Sequence, residues 1–260
     1  MTPPVFLAVD ISNLAARAYH AVARGQDGNF FGLSKHRLIT MQRTLMKQSE
    51  PIRLMGAVEG GKTFRHELYP EYKAHRPEKP EDFRALLDEA PAILAREFGM
   101  EVYHSPGFEA DDVLAAMADQ CLPTGVRLCC VSNDKDLLGL AFAGPDGSGT
   151  YVLHSEAGSY HALGPKEVLA KKGVPPHRIA LLHALQGDAS DGLKGIKGIG
   201  PVAAARLAGD FPSMKAIYRN LDRLQKSDRV ALENAGEAYA NLMEILTTLR
   251  FDAPIVRFSH

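Results

Sequence analysis

Acidic residues close each clear apolar run of this sequence. Val5–Val9 (VFLAV) leads into Asp10, Ile52–Val58 (IRLMGAV) into Glu59, and Val126–Val131 (VRLCCV) into Ser132-Asn133-Asp134-Lys135-Asp136. A fourth group, Glu109-Ala110-Asp111-Asp112, follows a weaker run at Met100–His104, and a fifth, Asp188 with Asp191, follows PPHRIALLHALQG. Glu109 and Asp112 are three apart, as are Asp188 and Asp191, so each pair can share one face of a helical turn. The positive end of a helix explains an acid there in any single case. Five groups at equivalent places ask for more. Carboxylates crowded together stay ionised only beside a counter-charge, and a hard divalent cation with oxygen ligands, magnesium or manganese, is the economical one. Zinc does not fit, because no Cys/His ligand spacing is present and the ten histidines are scattered. Two such ions about 4 Å apart suit phosphodiester hydrolysis, where they activate water and stabilise the leaving oxygen.

Two further segments suit a polyanionic substrate. Phe64-Arg65-His66-Glu67-Leu68-Tyr69-Pro70-Glu71-Tyr72-Lys73-Ala74-His75-Arg76-Pro77 interleaves cations and aromatic rings. On a helix Tyr72, Lys73 and Arg76 share a face, with breaks at Pro70, Pro77 and Pro80. Tyrosine rings stack unpaired bases while Lys and Arg meet phosphates; the competing reading is a solvated surface helix. The second segment runs from Gly192 to Pro201 (GLKGIKGIGP) between two helical patterns. No strand precedes it, so it fails the structural condition for a dinucleotide-binding fingerprint. Gly195, Gly198 and Gly200 permit tight turns, and Pro201 suits the first position of a helix. The outward N–H groups there can hold phosphate without reading bases, with Lys194 and Lys197 adding charge. The competing reading is a purely structural corner.

The elements that must position these residues follow from periodicity. The apolar runs alternate with helix-period stretches at Asn13–Ala23, Leu38–Gln48, Asp82–Phe98 and Asp111–Cys121. This is the pattern of an α/β fold, a mostly parallel central sheet flanked by helices, in which ligands bind beyond the carboxyl ends of the strands. From about Pro165 the pattern is helical, with Pro176–Gln186, Pro201–Leu207, Met214–Tyr218 and Glu233–Leu249. An α/β core over 1–175 and a helical module over 176–260 are therefore expected, a size that 260 residues accommodate. Net charge is −1, which by its sum speaks against a nucleic-acid binder. The distribution differs: residues 101–136 are strongly acidic and 62–76 are basic, as a metal-using enzyme on a polyanion requires. Cys121, Cys129 and Cys130 lack a CxxC pairing and read as structural thiols of a reducing, cytoplasmic compartment. No apolar run is long enough for a membrane span or a signal peptide.

Taken together, VDISNLAARAYHA, FRHELYPEYKAHRPEKPEDFRALL, GFEADDVLAAMA, SNDKDLLGL and LQGDASDGLKGIKGIGPVAA resemble, in order and over nearly the whole chain, the bacterial and phage 5′ nucleases. That superfamily takes in the N-terminal nuclease domain of DNA polymerase I, stand-alone phage 5′-3′ exonucleases and, more distantly, flap endonucleases. The resemblance implies a PIN-like core with a helical arch at about 60–97 and a helix–three-turn–helix (helix-hairpin-helix) at about 180–210. It implies a first metal cluster of Asp10, Asp111, Asp112 and Asp134 with Glu109 beside them, and a second of Asp136, Asp188 and Asp191. Arg17 and Tyr19 fall where the family contacts the cleaved strand. Arg65, Tyr72, Lys73 and Arg76 fall in the arch, with Lys73 and Arg76 stabilising charge on the scissile phosphate. Lys194, Gly195, Lys197, Gly198 and Gly200 fall in the duplex grip, and the carbonyls of Leu185, Gln186, Lys194, Ile196 and Ile199 where relatives hold potassium (K+). One position departs from the pattern: Glu59 stands five residues before Phe64, where the family has Asp six before.

The expectation is a free-standing, monomeric 5′ nuclease using Mg2+ or Mn2+ to cut DNA at 5′ ends, flaps and nicks, and RNA primers in RNA–DNA hybrids, during replication or repair. The departure at Glu59 motivates an alternative, a DNA-junction binder with weak or absent catalysis. An RNA-directed nuclease of the PIN class ranks behind both, because that class lacks the glycine hairpin and the basic arch.

Overall fold

Leu7, Ala8 and Val9 are fully buried, which places their strand at the centre of a sheet covered on both faces. The computed structural model describes residues 2–24, 28–156 and 158–259. The strands are β1 (Val5–Asp10), β2 (Arg53–Ala57), β3 (Glu101–His104), β4 (Arg127–Val131), β5 (Phe142–Ala143), β6 (Gly149–Glu156), β7 (Ser159–Leu163) and β8 (Val256–Arg257). Their order is β5-β6-β4-β1-β2-β3-β8, with β7 paired to β6. β3, β2, β1, β4 and β6 run parallel, while β5, β7 and β8 are antiparallel additions. The chain steps from β1 outward through β2 and β3, then crosses to the other side of β1 for β4. That reversal is a topological switch point, and Asp10 and Asp134 follow the two strands that flank it.

The chain divides into two compact units: residues 1–63, 77–164 and 250–260 in the first, and 64–76 with 165–249 in the second. In the first lie the sheet and helices α1 (Ile11–Ala23), α2 (Phe31–Ser49), α4 (Glu81–Phe98) and α5 (Ala110–Cys121). In the second lie α3 (Phe64–Leu68), α6 (Pro165–Lys172), α7 (Ile179–Gln186), α8 (Pro201–Asp210), α9 (Met214–Tyr218), α10 (Lys226–Ala235) and α11 (Glu237–Thr247). In this grouping the basic segment goes with the helices, and residues 250–260 return to the sheet unit, where they supply β8.

In the sheet unit Leu7, Val9, Cys129 and Val131 face α1, α2 and α4, packing with Leu14, Ala18, Leu38, Leu45, Leu86 and Leu94. The alternate residues Ala8, Leu128 and Cys130 face the other way, toward α5, which contacts β1, β2, β3 and β4. In the helical unit α7 packs against α8 and α11. No helix among the described residues is long and apolar enough to cross a membrane.

Two helical expectations are corrected. The single helix expected over Glu233–Leu249 is two, because Gly236 takes φ 79° and ends α10 before α11 begins. Residues 70–76, expected to be helical, form successive turns, and Lys73 adopts a left-handed φ of 56°. Pro70 and Pro77 bracket that stretch, and neither permits a helix to run through.

Candidate active site

Asp10 ends β1 and starts α1. Its Oδ1 accepts from the Asn13 N–H at 2.9 Å, the N-cap bond that begins the helix. Its Oδ2 accepts from the Ser132 hydroxyl at 2.9 Å, and the same Ser132 oxygen accepts from the Asp134 N–H at 3.1 Å. Ser132 therefore clamps the acids after β1 and β4 together. Asp134 Oδ1 in turn accepts from the Asp136 N–H at 2.9 Å. Asn133 is held by the Asn13 side chain at its N–H and by Ser155 at both ends of its amide. Ser132, Asn133 and Asn13 were not singled out from the sequence as site residues; they signal only through their place in SNDKD and beside Asp10.

Asp111, in the first turn of α5, is the focus of the cluster. Burial, and then the charges of Asp134, Asp10, Glu109 and Glu59, push its carboxyl well above the usual carboxylate range. Five acids from four stretches of chain thus act on one another at one sheet edge. Glu59 reaches the Ala110 N–H at 3.4 Å, so the longer side chain brings its charge to the cluster despite the shifted position. Glu109 is the N-cap of α5 in a capping box with Asp112. Asp112 is fully buried, with Oδ2 accepting from the Glu109 N–H at 3.1 Å and Oδ1 from the Arg250 N–H at 2.9 Å. As a metal ligand it stays a proposal, like Asp10, whose two oxygens also each accept a hydrogen bond. Asp136 belongs to this sheet unit, while Asp188 and Asp191 belong to the helical one.

An all-oxygen set of crowded carboxylates, one of them raised by burial and then by its neighbours' charges, fits a hard divalent cation in charge and donor chemistry.

In the helical unit Asp191 anchors the basic segment. Its carboxylate accepts from the Tyr72 hydroxyl and the Arg76 guanidinium, each at 2.8 Å, with Lys73 Nζ at 4.0 Å. Its carbonyl accepts from the Lys73 N–H, and the Ser190 carbonyl from Arg76 Nε. Asp188 accepts from the N–H and hydroxyl of Ser190. Tyr72 is 2% exposed, so it braces Asp191 rather than offering its ring to a base. Arg65, also 2% exposed, donates to the Leu246 and Thr248 carbonyls and satisfies the C-terminal end of α11. Both are corrected from strand contacts to internal supports, as is Tyr19 in the sheet unit. Tyr19 is buried, donates to Asp82 at 2.9 Å and stacks on Phe83 at 4.7 Å.

The glycine hairpin keeps its expected outward character in part. Lys194, Lys197, Gly198 and Gly200 are exposed, and Gly200 caps α8 with Pro201 as its first residue. Gly195 is corrected: it is buried at φ 62°, and a Cβ there would stand 2.3 Å from the Gly187 nitrogen. It allows two backbone stretches to touch. Of the five carbonyls expected to hold potassium, Leu185 accepts from the Ile196 N–H and Ile196 from the Ile199 N–H.

Residues 5–173 match the 5′-3′ exonuclease N-terminal resolvase-like domain, and residues 174–259 match the 5′-3′ exonuclease C-terminal SAM fold. The chain belongs to the 5′-3′ exonuclease family. This family member is 31% identical over 264 residues to DNA polymerase I of Mycobacterium leprae, covering 99% of its own chain and 28% of the polymerase. It is 34% identical over 232 residues to the thermostable DNA polymerase I of Thermus aquaticus, covering 86% and 26%. It thus spans just over a quarter of the length of these curated relatives. In fold, the chain is similar to the phage T5 flap endonuclease, solved with DNA and metal ions (TM-score 0.75, 20% identity, 94% of this chain and 89% of that one). It is also similar to the catalytic core of Rad2 in complex with DNA substrate (0.59, 18%, 98% and 83%).

Proposed function

We propose that this 5′-3′ exonuclease family member cuts the phosphodiester backbone of DNA near single-strand/duplex junctions, acting on 5′ ends, flaps and nicks. The observation that carries the reading is the cluster in which burial, and then the charges of Asp134, Asp10, Glu109 and Glu59, raise the Asp111 carboxyl. Magnesium or manganese ions, two in number, when held by Asp10, Glu59, Glu109, Asp111 and Asp134, supply the Lewis acidity that activates water and neutralises charge on the departing oxygen. Asp136, Asp188 and Asp191 complete the proposed acidic set. Ser132 fixes the directions of Asp10 and Asp134. Lys73 and Arg76, tethered through Asp191, offer positive charge to the DNA backbone. Lys194, Lys197 and the exposed N–H groups of Gly198 and Gly200 hold duplex phosphates without reading sequence, with a potassium ion on the nearby carbonyls. RNA–DNA hybrids, a monomeric state and a cytoplasmic setting complete the reading.

A labelled 5′-flap duplex, incubated with the chain in magnesium, manganese or EDTA, tests it. Cutting is expected in both metals and none in EDTA. Asp134→Asn keeps the side-chain acceptor for the Asp136 N–H but removes the charge. It should lower turnover by at least about 100-fold, a loss of ~2.7 kcal/mol in transition-state stabilisation, while flap affinity in EDTA stays within two-fold. Wild-type binding with no cleavage in either metal would establish a junction binder instead.

A further inference from the structure

A cleft of about 520 Å³ opens in the sheet unit between α1, α2 and the β6–β7 end of the sheet. Arg17 and His20 line it from α1, Arg37 from α2, and Asn133, Ser155 and Tyr160 from the sheet side. A second hollow of about 480 Å³ shares Ala21 and Arg37 with it and adds Arg24. Among the described lining residues of both there is no acid, although the chain as a whole is slightly acidic. Neither Arg17 nor Arg37 is paired with a carboxylate among the described residues. Arg17 Nη2 donates to the Tyr160 hydroxyl at 3.3 Å, and its guanidinium lies 5.2 Å from the Tyr160 ring centre. Its Nη1 is buried and has no hydrogen-bond partner among the described residues.

A guanidinium N–H taken out of water without an acceptor is costly. No described residue of the wall accepts from Nη1, and the Asn133 amide is engaged with Ser155 at both ends. The acceptor that the cleft lacks is an anion, and the fixed planar fork of arginine suits phosphate oxygens. Asn133 stands immediately before Asp134, so the cleft adjoins the acid cluster without containing any of its carboxylates.

We propose that this cleft is a second phosphate subsite, in which Arg17 and Arg37 hold a backbone phosphate of the nucleic-acid strand other than the one that is cut. It rests on the nuclease reading above and adds to it a residue, Arg37, that positions the strand from α2. Anchoring one phosphate beside the cluster fixes where along the strand the next one falls, which is a device for choosing the cut position.

Arg37 is exposed, so its replacement leaves the core intact. The experiment compares wild type, Arg37→Ala, Arg37→Lys and Arg43→Ala, the last removing an exposed charge of the same helix outside the cleft. Affinity for fluorescein-labelled 5′-flap DNA is read in EDTA from 50 to 200 mM salt, and KM, kcat and product lengths in magnesium. Arg37→Ala should weaken affinity and raise KM about ten-fold, leave kcat within two-fold, reduce the salt slope by about one and spread the product lengths. Arg37→Lys should retain most of the affinity, and Arg43→Ala should behave as wild type. An Arg37→Ala protein with wild-type affinity and slope, or an Arg43→Ala protein that loses as much, overturns the subsite. The affinities are read where nothing is cut, so they stand apart from the success or failure of the nuclease reading.

Discussion

Ser132 shows how much a site residue can do without chemistry of its own. One hydroxyl donates to Asp10 and accepts from the Asp134 N–H, joining acids that stand more than a hundred residues apart in sequence. The Asp10 carboxylate, held by a neutral donor, keeps its direction whether or not a cation lies beside it, and the backbone of Asp134 is tied to the same hydroxyl. Ser132→Ala removes both bonds and leaves the charges in place. With each of the two bonds contributing about 1 kcal/mol, kcat on a flap substrate should fall by up to about thirty-fold, while affinity in EDTA should not change. Equal kcat values for the two proteins would show that β1 and β4 alone set the geometry. Asp112 makes the complementary point. It has the residue type, spacing and helix-start position of a ligand, yet its oxygens go to the N–H groups of Glu109 and Arg250.

At the scale of elements, the strands that carry acids were legible because burial on both faces gives continuous apolar runs with a clear end. β6 was not, since Gly149-Thr150-Tyr151-Val152-Leu153-His154-Ser155-Glu156 mixes polar and apolar residues and follows Gly and Asp turns. The basic segment was legible as composition but not as placement. Arg65 and Tyr72 are inside because Leu246, Thr248 and Asp191, more than a hundred residues away, supply their partners. No local pattern encodes such a pairing. The hairpin glycines were legible as turns, but only the packing separates Gly195, pressed against Gly187, from the exposed Gly198 and Gly200. Gly195→Ala meets both a left-handed φ and a backbone atom at 2.3 Å. A cost of at least about 2 kcal/mol is expected, read as a fall of roughly 4–8 °C in melting temperature, with duplex affinity falling alongside. Retention of wild-type melting would mean that the α7–α8 connection relaxes freely.

For the whole molecule, the acid cluster sets function against stability. A fold that gathers Asp10, Glu59, Glu109, Asp111 and Asp134 at one sheet edge raises the Asp111 carboxyl through burial and then through its neighbours' charges, and that cost exists in the native state only, because the unfolded chain solvates and disperses these groups. A divalent cation that binds the folded form alone relieves it and adds stability by mass action, about 2.7 kcal/mol at a hundred times its dissociation constant. Asp111→Asn should therefore melt higher than wild type in EDTA, by on the order of 1 kcal/mol, and gain much less from magnesium. The two melting curves would cross as magnesium is raised, while activity is lost at every concentration. Were Asp111→Asn to melt lower than wild type in EDTA and gain as much from magnesium, the carboxylates would not be crowded in solution. The cation would then bind elsewhere, and the reading of the sheet edge as the reaction centre would have to be given up.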